Sequence, residues 1–236
     1  MTQLALSVDI SAPTARRMPA SDPWTNSTAA GAPPDAGGAL RAIGPVLHFA
    51  QDRDIYSEGG AADVFFKLVS GVVRTCKFLS DGRRQIDAFY VAGEVFGLEA
   101  GDAHSLCAEA VSDCTVISYR RRGLEALAVD DQALSRQLFS HAMKNLARAQ
   151  EHSLSLGRRN AVEKVAAFLI ELFENAPDAN VITLAMTRQD IADYLGLTME
   201  TVSRTLSRLD RDAFIELTTA RQIRVKDRTA LRGLNS

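Results

Sequence analysis

Glu200, Ser203, Arg204, Ser207 and Arg208 recur at i, i+3, i+4, i+7 and i+8. That spacing sets them on one side of a helix over 199–210, while Met199, Val202, Leu206 and Leu209 form an apolar stripe on the other. A carboxylate, a hydroxyl and a guanidinium so grouped match the edges of base pairs. The fork of Arg204 can donate to guanine O6 and N7, Glu200 can accept from cytosine N4, and Ser203 can serve several bases. Arg188 and Arg208, together with Thr198, Ser207 and Arg221, suit phosphate oxygens, which position a protein on a duplex without reading it. The plainer alternative is a solvated Glu200–Arg204 pair worth about 0.2–0.5 kcal/mol.

The elements that would position these side chains are also legible. Thr187 is placed to cap a helix over Arg188–Leu195, with Asp190 three residues later as in a capping box. Ile191, Ala192 and Leu195 point inward, Gly196 permits a tight turn, and Thr198 caps the next helix. Two short helices joined by a glycine-containing turn make a helix-turn-helix, whose second helix enters the major groove. Residues 214–217 and 222–226 read as a two-stranded wing with a basic tip. From Thr187 onward there are nine Lys or Arg against seven Asp or Glu, so geometry rather than charge carries this reading.

The rest of the 236 residues divides by texture. Twenty-four of the first 38 are Ala, Gly, Pro, Ser or Thr, a composition that cannot offset its ordering entropy, so 1–38 is expected to be a disordered tail. Residues 39–127 alternate short apolar runs with glycine turns, the pattern of an all-β sandwich or barrel, with Asp81-Gly82 the clearest hairpin turn. Residues 130–156 hold no Gly or Pro and repeat Leu134, Leu138, Ala142, Leu146 and Ala149, with Asn145 beside them, at helical spacing. A helix that long, ended by Gly157, has more apolar stripe than one small sheet needs. A seam between two subunits would use the surplus; the alternative is a helix lying over its own domain. An amphipathic helix over 160–174, ended by Pro177, and a short strand over 181–186 follow.

Composition excludes much. The formal net charge of −2 shows no global basic excess, and no stretch approaches the ~18 apolar residues of a membrane span. The N-terminus does not read as a signal peptide. Three cysteines spaced 31 and 7 apart form no disulfide framework, which points to a reducing cytoplasm. No phosphate-binding loop, dinucleotide fingerprint, zinc-protease or serine-hydrolase motif is present, and His48, His104, His141 and His152 are scattered. Neither an enzyme nor a metal site is expected.

The run from Thr187 to Arg204, with Glu200-x-x-Ser203-Arg204 at its end, closely resembles the helix-turn-helix of the CRP/FNR superfamily of bacterial transcription regulators. Ser80-Asp81-Gly82-Arg83-Arg84-Gln85-Ile86, Leu156-Gly157-Arg158-Arg159 and Glu163-Lys164-Val165-Ala166-Ala167-Phe168-Leu169 resemble its FixK subgroup. The resemblance implies an α+β chain: a cyclic-nucleotide-binding-like β-roll over 39–127, a dimerisation helix over 128–157 and a winged helix-turn-helix domain over 158–236. It further implies a homodimer that binds a TTGAT-type palindrome, meets RNA polymerase, and activates low-oxygen or nitrogen-fixation genes without a cofactor. Two departures from the superfamily bear on that. Residues 1–75 hold none of the cysteines of an FNR iron–sulfur centre. Where cyclic-nucleotide receptors carry an Arg-Ser pair for the cyclic phosphate, this chain has His104-Ser105, and a neutral imidazole replaces a fixed bidentate charge poorly. Glu94, in Gly93-Glu94-Val95-Phe96-Gly97, resembles the ribose ligand and is expected to be a turn residue here. A β-roll gated by a cyclic nucleotide, haem or another small molecule is the alternative.

Overall fold

The structure is a computed structural model that describes residues 44–123, 131–158, 160–174 and 181–234. The expected tail over 1–38 and Pro177 lie outside the described residues.

Eight short strands come first: β1 (Val46–Phe49), β2 (Asp54–Tyr56), β3 (Val64–Ser70), β4 (Val73–Phe78), β5 (Arg84–Tyr90), β6 (Val95–Phe96), β7 (Cys107–Ala110) and β8 (Cys114–Arg120). They form two four-stranded antiparallel sheets, ordered β1-β8-β3-β6 and β2-β7-β4-β5. Phe66, Leu68, Phe96, Cys114 and Val116 of one sheet meet Val73, Ala88, Tyr90, Ala108 and Ala110 of the other to make the core of the roll. The β4–β5 hairpin turns at Asp81-Gly82, where Gly82 takes φ +83 and its N–H donates to the Leu79 carbonyl.

A bulge in β5 decides what this hairpin presents. Thr75 pairs with Ala88 but Cys76 pairs with Ile86, so Asp87 is the extra residue. A bulge turns the side chains beyond it. Ala88 and Tyr90 stay in the roll's interior, while Ile86 and Phe89 both pack against the C-terminal half.

Helix α1 (Gln132–Arg158) runs through Gly157 rather than ending there. Its side facing the roll carries Leu134, only 2% exposed among Phe65, Val95, Ile117 and Tyr119, and Leu138 beside it. Asn145 donates to the Val95 carbonyl, and Arg148 donates to the Phe89 carbonyl and lies over the Tyr90 ring. Leu134, Leu138 and Asn145, expected on a subunit seam, thus lie on the side facing their own roll, Leu134 buried and the other two half-buried. The opposite side is exposed and apolar: Phe139 (67%), Met143, Leu146 (49%) and Leu154, with Ala142 and Ala149 along its edge.

The C-terminal half comprises α2 (Ala161–Glu174), β9 (Val181–Thr183), α3 (Arg188–Leu195), α4 (Met199–Arg211), β10 (Ile215–Leu217), β11 (Gln222–Val225) and α5 (Arg228–Gly233). The expected two-stranded wing gains β9 as a third strand, in the order β10-β11-β9. Val165, Leu169, Ile191, Leu195, Val202, Leu206, Leu209, Ile215 and Ile223 fill the core between helices and wing, and Cys76, Ile86 and Val111 of the roll are continuous with it.

Candidate nucleic-acid interface

The helix-turn-helix is built by local chemistry. The Thr187 hydroxyl accepts from the Asp190 N–H and donates to the Asp190 carboxylate, which also accepts the Thr187 N–H at 2.9 Å, so the capping box is complete. Helix α3 ends at Gly196, φ +62, in the left-handed region that favours glycine. A side chain there would also crowd Leu156 at 3.3 Å. The Thr198 hydroxyl accepts the Thr201 N–H at 3.1 Å and starts α4.

Helix α4 buries Val202, Thr205, Leu206 and Leu209 and exposes Glu200, Ser203, Arg204, Ser207 and Arg208. The polar ridge expected from the spacing is thus one exposed surface. Met199, expected in the core stripe, is instead half exposed at the helix start. On the ridge, Arg204 pairs with Glu200 one turn back, Ser203 donates to the Met199 carbonyl, and Arg208 meets Asp212 at 3.5 Å. These partners are solvated and exchangeable.

Of the residues expected on phosphate, Thr198 and Arg221 lie exposed with Ser207 and Arg208. Arg188 does not. Its guanidinium reaches across to the wing, donates to the Ala220 carbonyl at 3.0 Å, and buries its other terminal nitrogen; burial also pulls its pKa down. Arg188 thus links the wing to α3.

Three anchoring groups were not apparent from the sequence. Lys164 buries its ammonium and donates to the carbonyls of Leu156 and Leu195, tying α1 to the end of α3. His152 of α1 stacks on Tyr194 of α3 with ring centroids 4.1 Å apart, beside Phe89 and Phe168. Arg74 and Arg84 of the roll clasp Asp190 and Asp193 of α3, with Glu109 completing the group. Burial pushes the Asp190 carboxyl up, but the two bonds from Thr187 and the charges of Arg74 and Arg84 outweigh it and hold the pKa below the usual value. The carboxylate that caps the helix-turn-helix is thus also the one that joins it to the roll.

In the roll, the donors that a cyclic phosphate would need are already committed. The Ser105 N–H and hydroxyl both donate to the Glu99 carboxylate, at 3.0 and 3.1 Å. His104 is buried, stacked on Tyr56 with centroids 3.7 Å apart, and burial pulls its pKa down. Glu94 accepts the Val91 N–H and pairs with Arg148 at 3.2 Å, closing a turn. Among the described residues no group of three or more His, Cys, Asp or Glu is arranged to hold a metal ion, and no helix is long and apolar enough to cross a membrane.

Two family matches cover these parts: residues 46–131 match a cyclic nucleotide-binding domain, and residues 163–234 match a Crp-like helix-turn-helix domain. The chain is 45% identical over 202 residues to a nitrogen fixation regulation protein FixK of Azorhizobium caulinodans, covering 84% of this chain and 82% of that one. The chain belongs to the CRP/FNR family of transcription regulators. A FixK of Rhizobium meliloti is 43% identical, over 80% of this chain and 86% of that one. The solved structure of FixK2 from Bradyrhizobium japonicum superposes with a TM-score of 0.79 at 42% identity, covering 82% of this chain and 98% of that one. The CRP/FNR assignment accounts for the β-roll, the long helix and the C-terminal reading unit as one architecture.

Proposed function

We propose that the chain is a homodimeric activator that binds a palindrome of TTGAT facing ATCAA, works in the cytoplasm with RNA polymerase, and controls nitrogen-fixation or low-oxygen genes without a nucleotide or an iron–sulfur cluster. The observation that carries the reading is the exposed ridge Glu200, Ser203, Arg204 and Arg208 on a helix held rigidly from beneath. Arg204 is free to exchange Glu200 for guanine, and the other ridge residues flank it. The relatives named for regulating nitrogen fixation support the gene class.

The exposed stripe on α1 supports the dimer. Phe139, Met143, Leu146 and Leu154 form an unpartnered apolar face of the kind a two-helix seam buries, and two-fold symmetry would set half-sites one helical turn apart. Cofactor independence is supported by the Glu99 carboxylate on Ser105, and by a chain with only three cysteines where clusters ordinarily take four thiolates.

Fluorescence anisotropy in air, without added ligand, tests the whole reading. The expected Kd for the palindrome is about 10 nM or tighter, with a scrambled duplex at least about a thousandfold weaker. Binding that appears only with a cyclic nucleotide, or only after anaerobic cluster reconstitution, would assign the roll to ligand gating. Phe139→Glu with Leu146→Glu is expected to yield monomers by sedimentation and to abolish tight operator binding; a dimer that survives both charges places the seam elsewhere.

A further inference from the structure

The register of β4 and β7 brings together two residues that lie 31 apart in the chain. Arg74 pairs with Glu109, and one rung further on the same side of the sheet Cys76 pairs with Cys107. Directly opposed residues of an antiparallel ladder have Cα atoms about 4.5–5.5 Å apart. A disulfide takes about 4.4–6.8 Å, so the pair can close without moving the strands apart.

The two sulfurs differ in access. Cys107 is partly exposed and its sulfur accepts the Glu58 N–H at 3.3 Å. Cys76 is 0% exposed, in the core that the roll shares with the DNA-binding half. The third cysteine, Cys114, is buried in β8 opposite Phe49, with no cysteine across from it.

We propose that Cys76 and Cys107 are a dithiol oxidised by hydroperoxides to an intrachain disulfide, with Cys107 as the entry sulfur. Cys107 attacks the peroxide O–O bond, giving a sulfenic acid and releasing ROH. Cys76 then attacks the Cys107 sulfur, its proton leaving with the hydroxyl as water. Two thiols lose two electrons in all, and one hydroperoxide gains them. Burial pushes the Cys76 thiol up to about 12, so Cys76 does not meet peroxide first, and its part in the second step rests on its place opposite Cys107 in the ladder. Closure joins two sulfurs that both border the interdomain core and reorients the Cys76 side chain within it, two pairs along the ladder from the Arg74–Glu109 pair that feeds the Asp190 clasp. The consequence for the operator rests on the proposed function: oxidation disturbs the seat of α3 and lowers DNA affinity.

The test treats the folded full-length chain with graded hydrogen peroxide and follows alkylation, peptide mapping and operator anisotropy together. Expected are a Cys76–Cys107 linked peptide, an unchanged Cys114, and an affinity loss of about tenfold that dithiothreitol reverses, within the ~5–150-fold span of ordinary site coupling. Cys107→Ser, at the more exposed position, is expected to fold, form no link and keep its affinity under peroxide. A Cys107 that proceeds to sulfinic acid while Cys76 stays alkylatable overturns the disulfide. A linked peptide with unchanged operator affinity overturns the coupling to α3. If the reduced protein binds no operator, the proposed function fails, and the linked peptide still decides the thiol chemistry.

Discussion

Two of the places where arginine meets carboxylate have opposite consequences. Between the roll and α3, Arg74 and Arg84 converge on Asp190, whose side chain is 4% exposed, and on Asp193 and Glu109. On α4, Arg204 meets Glu200 with its side chain 79% exposed. The first group is removed from water and satisfied by several partners at once, so losing one member leaves the others with fewer partners where water does not replace them. The second is solvated, contributes little to folding, and can be exchanged for DNA at little cost. Burial, rather than ion-pair chemistry, separates the residues that hold the helix-turn-helix from those proposed to read DNA.

The sharpest way to break this contrast is Asp190→Ala. It takes from Arg74 and Arg84 the carboxylate they share, leaving them Glu109 and Asp193, and removes half of the capping box, an expected loss of about 1.5–3 kcal/mol from the charged hydrogen bonds plus about 1 kcal/mol from the cap. A calorimetric melt is expected to fall by 10 °C or so, at about 2–4 °C per kcal/mol for a chain of this size. Acid sharpens the same point. Because the folded value for Asp190 is depressed, its contribution is complete above the ordinary aspartate value near 4 and is lost as pH falls through the lower, folded value. Melts of the wild type should therefore drop more steeply below about pH 4 than those of Asp190→Asn; parallel curves would mean that the clasp contributes nothing.

Arg204→Ala is the complementary change. Its melting temperature is expected to stay within the scatter of a surface substitution, about 0.5 kcal/mol, while discrimination at the G of TTGAT falls by roughly 1–3 kcal/mol in each half-site. A panel of single-base operator variants reads this directly. A uniform loss across the panel would move Arg204 to the phosphate class. The smallest effect is expected from Arg208→Ala: an even weakening over all sequences, with the salt slope reduced by about one for each phosphate no longer neutralised.

How far the sequence led depends on how local each feature is. The two helices of the reader were legible because their caps lie within three residues of the atoms they satisfy, and because a 3.6-residue period needs only one turn to show itself. The β4–β5 hairpin was legible from Asp81-Gly82 for the same reason. What failed was long-range. Arg188 finds a carbonyl at Ala220, 32 residues on, a partner that charge and position alone do not show. Arg84 and Asp190 are 106 residues apart. Along α1, apolar residues serve two opposite faces, and the period returns their union: Leu134 and Leu138 belong to the roll, Phe139 and Met143 to the outer stripe. The bulge at Asp87 leaves no periodic trace, because it breaks the alternation by which strands are recognised.

The double duty of Asp190 limits how this architecture can be recombined. A reading unit grafted onto another family member's roll keeps its cap from Thr187, but it finds the clasp only where the host supplies arginines at both strand positions. A roll given a foreign reader in turn leaves Arg74 and Arg84 with Glu109 alone unless that reader starts with an acid at the same place. Specificity can therefore be exchanged on the outer face of α4 residue by residue, whereas whole-domain chimeras must carry the β4–β5 hairpin and the start of α3 together as one inherited unit.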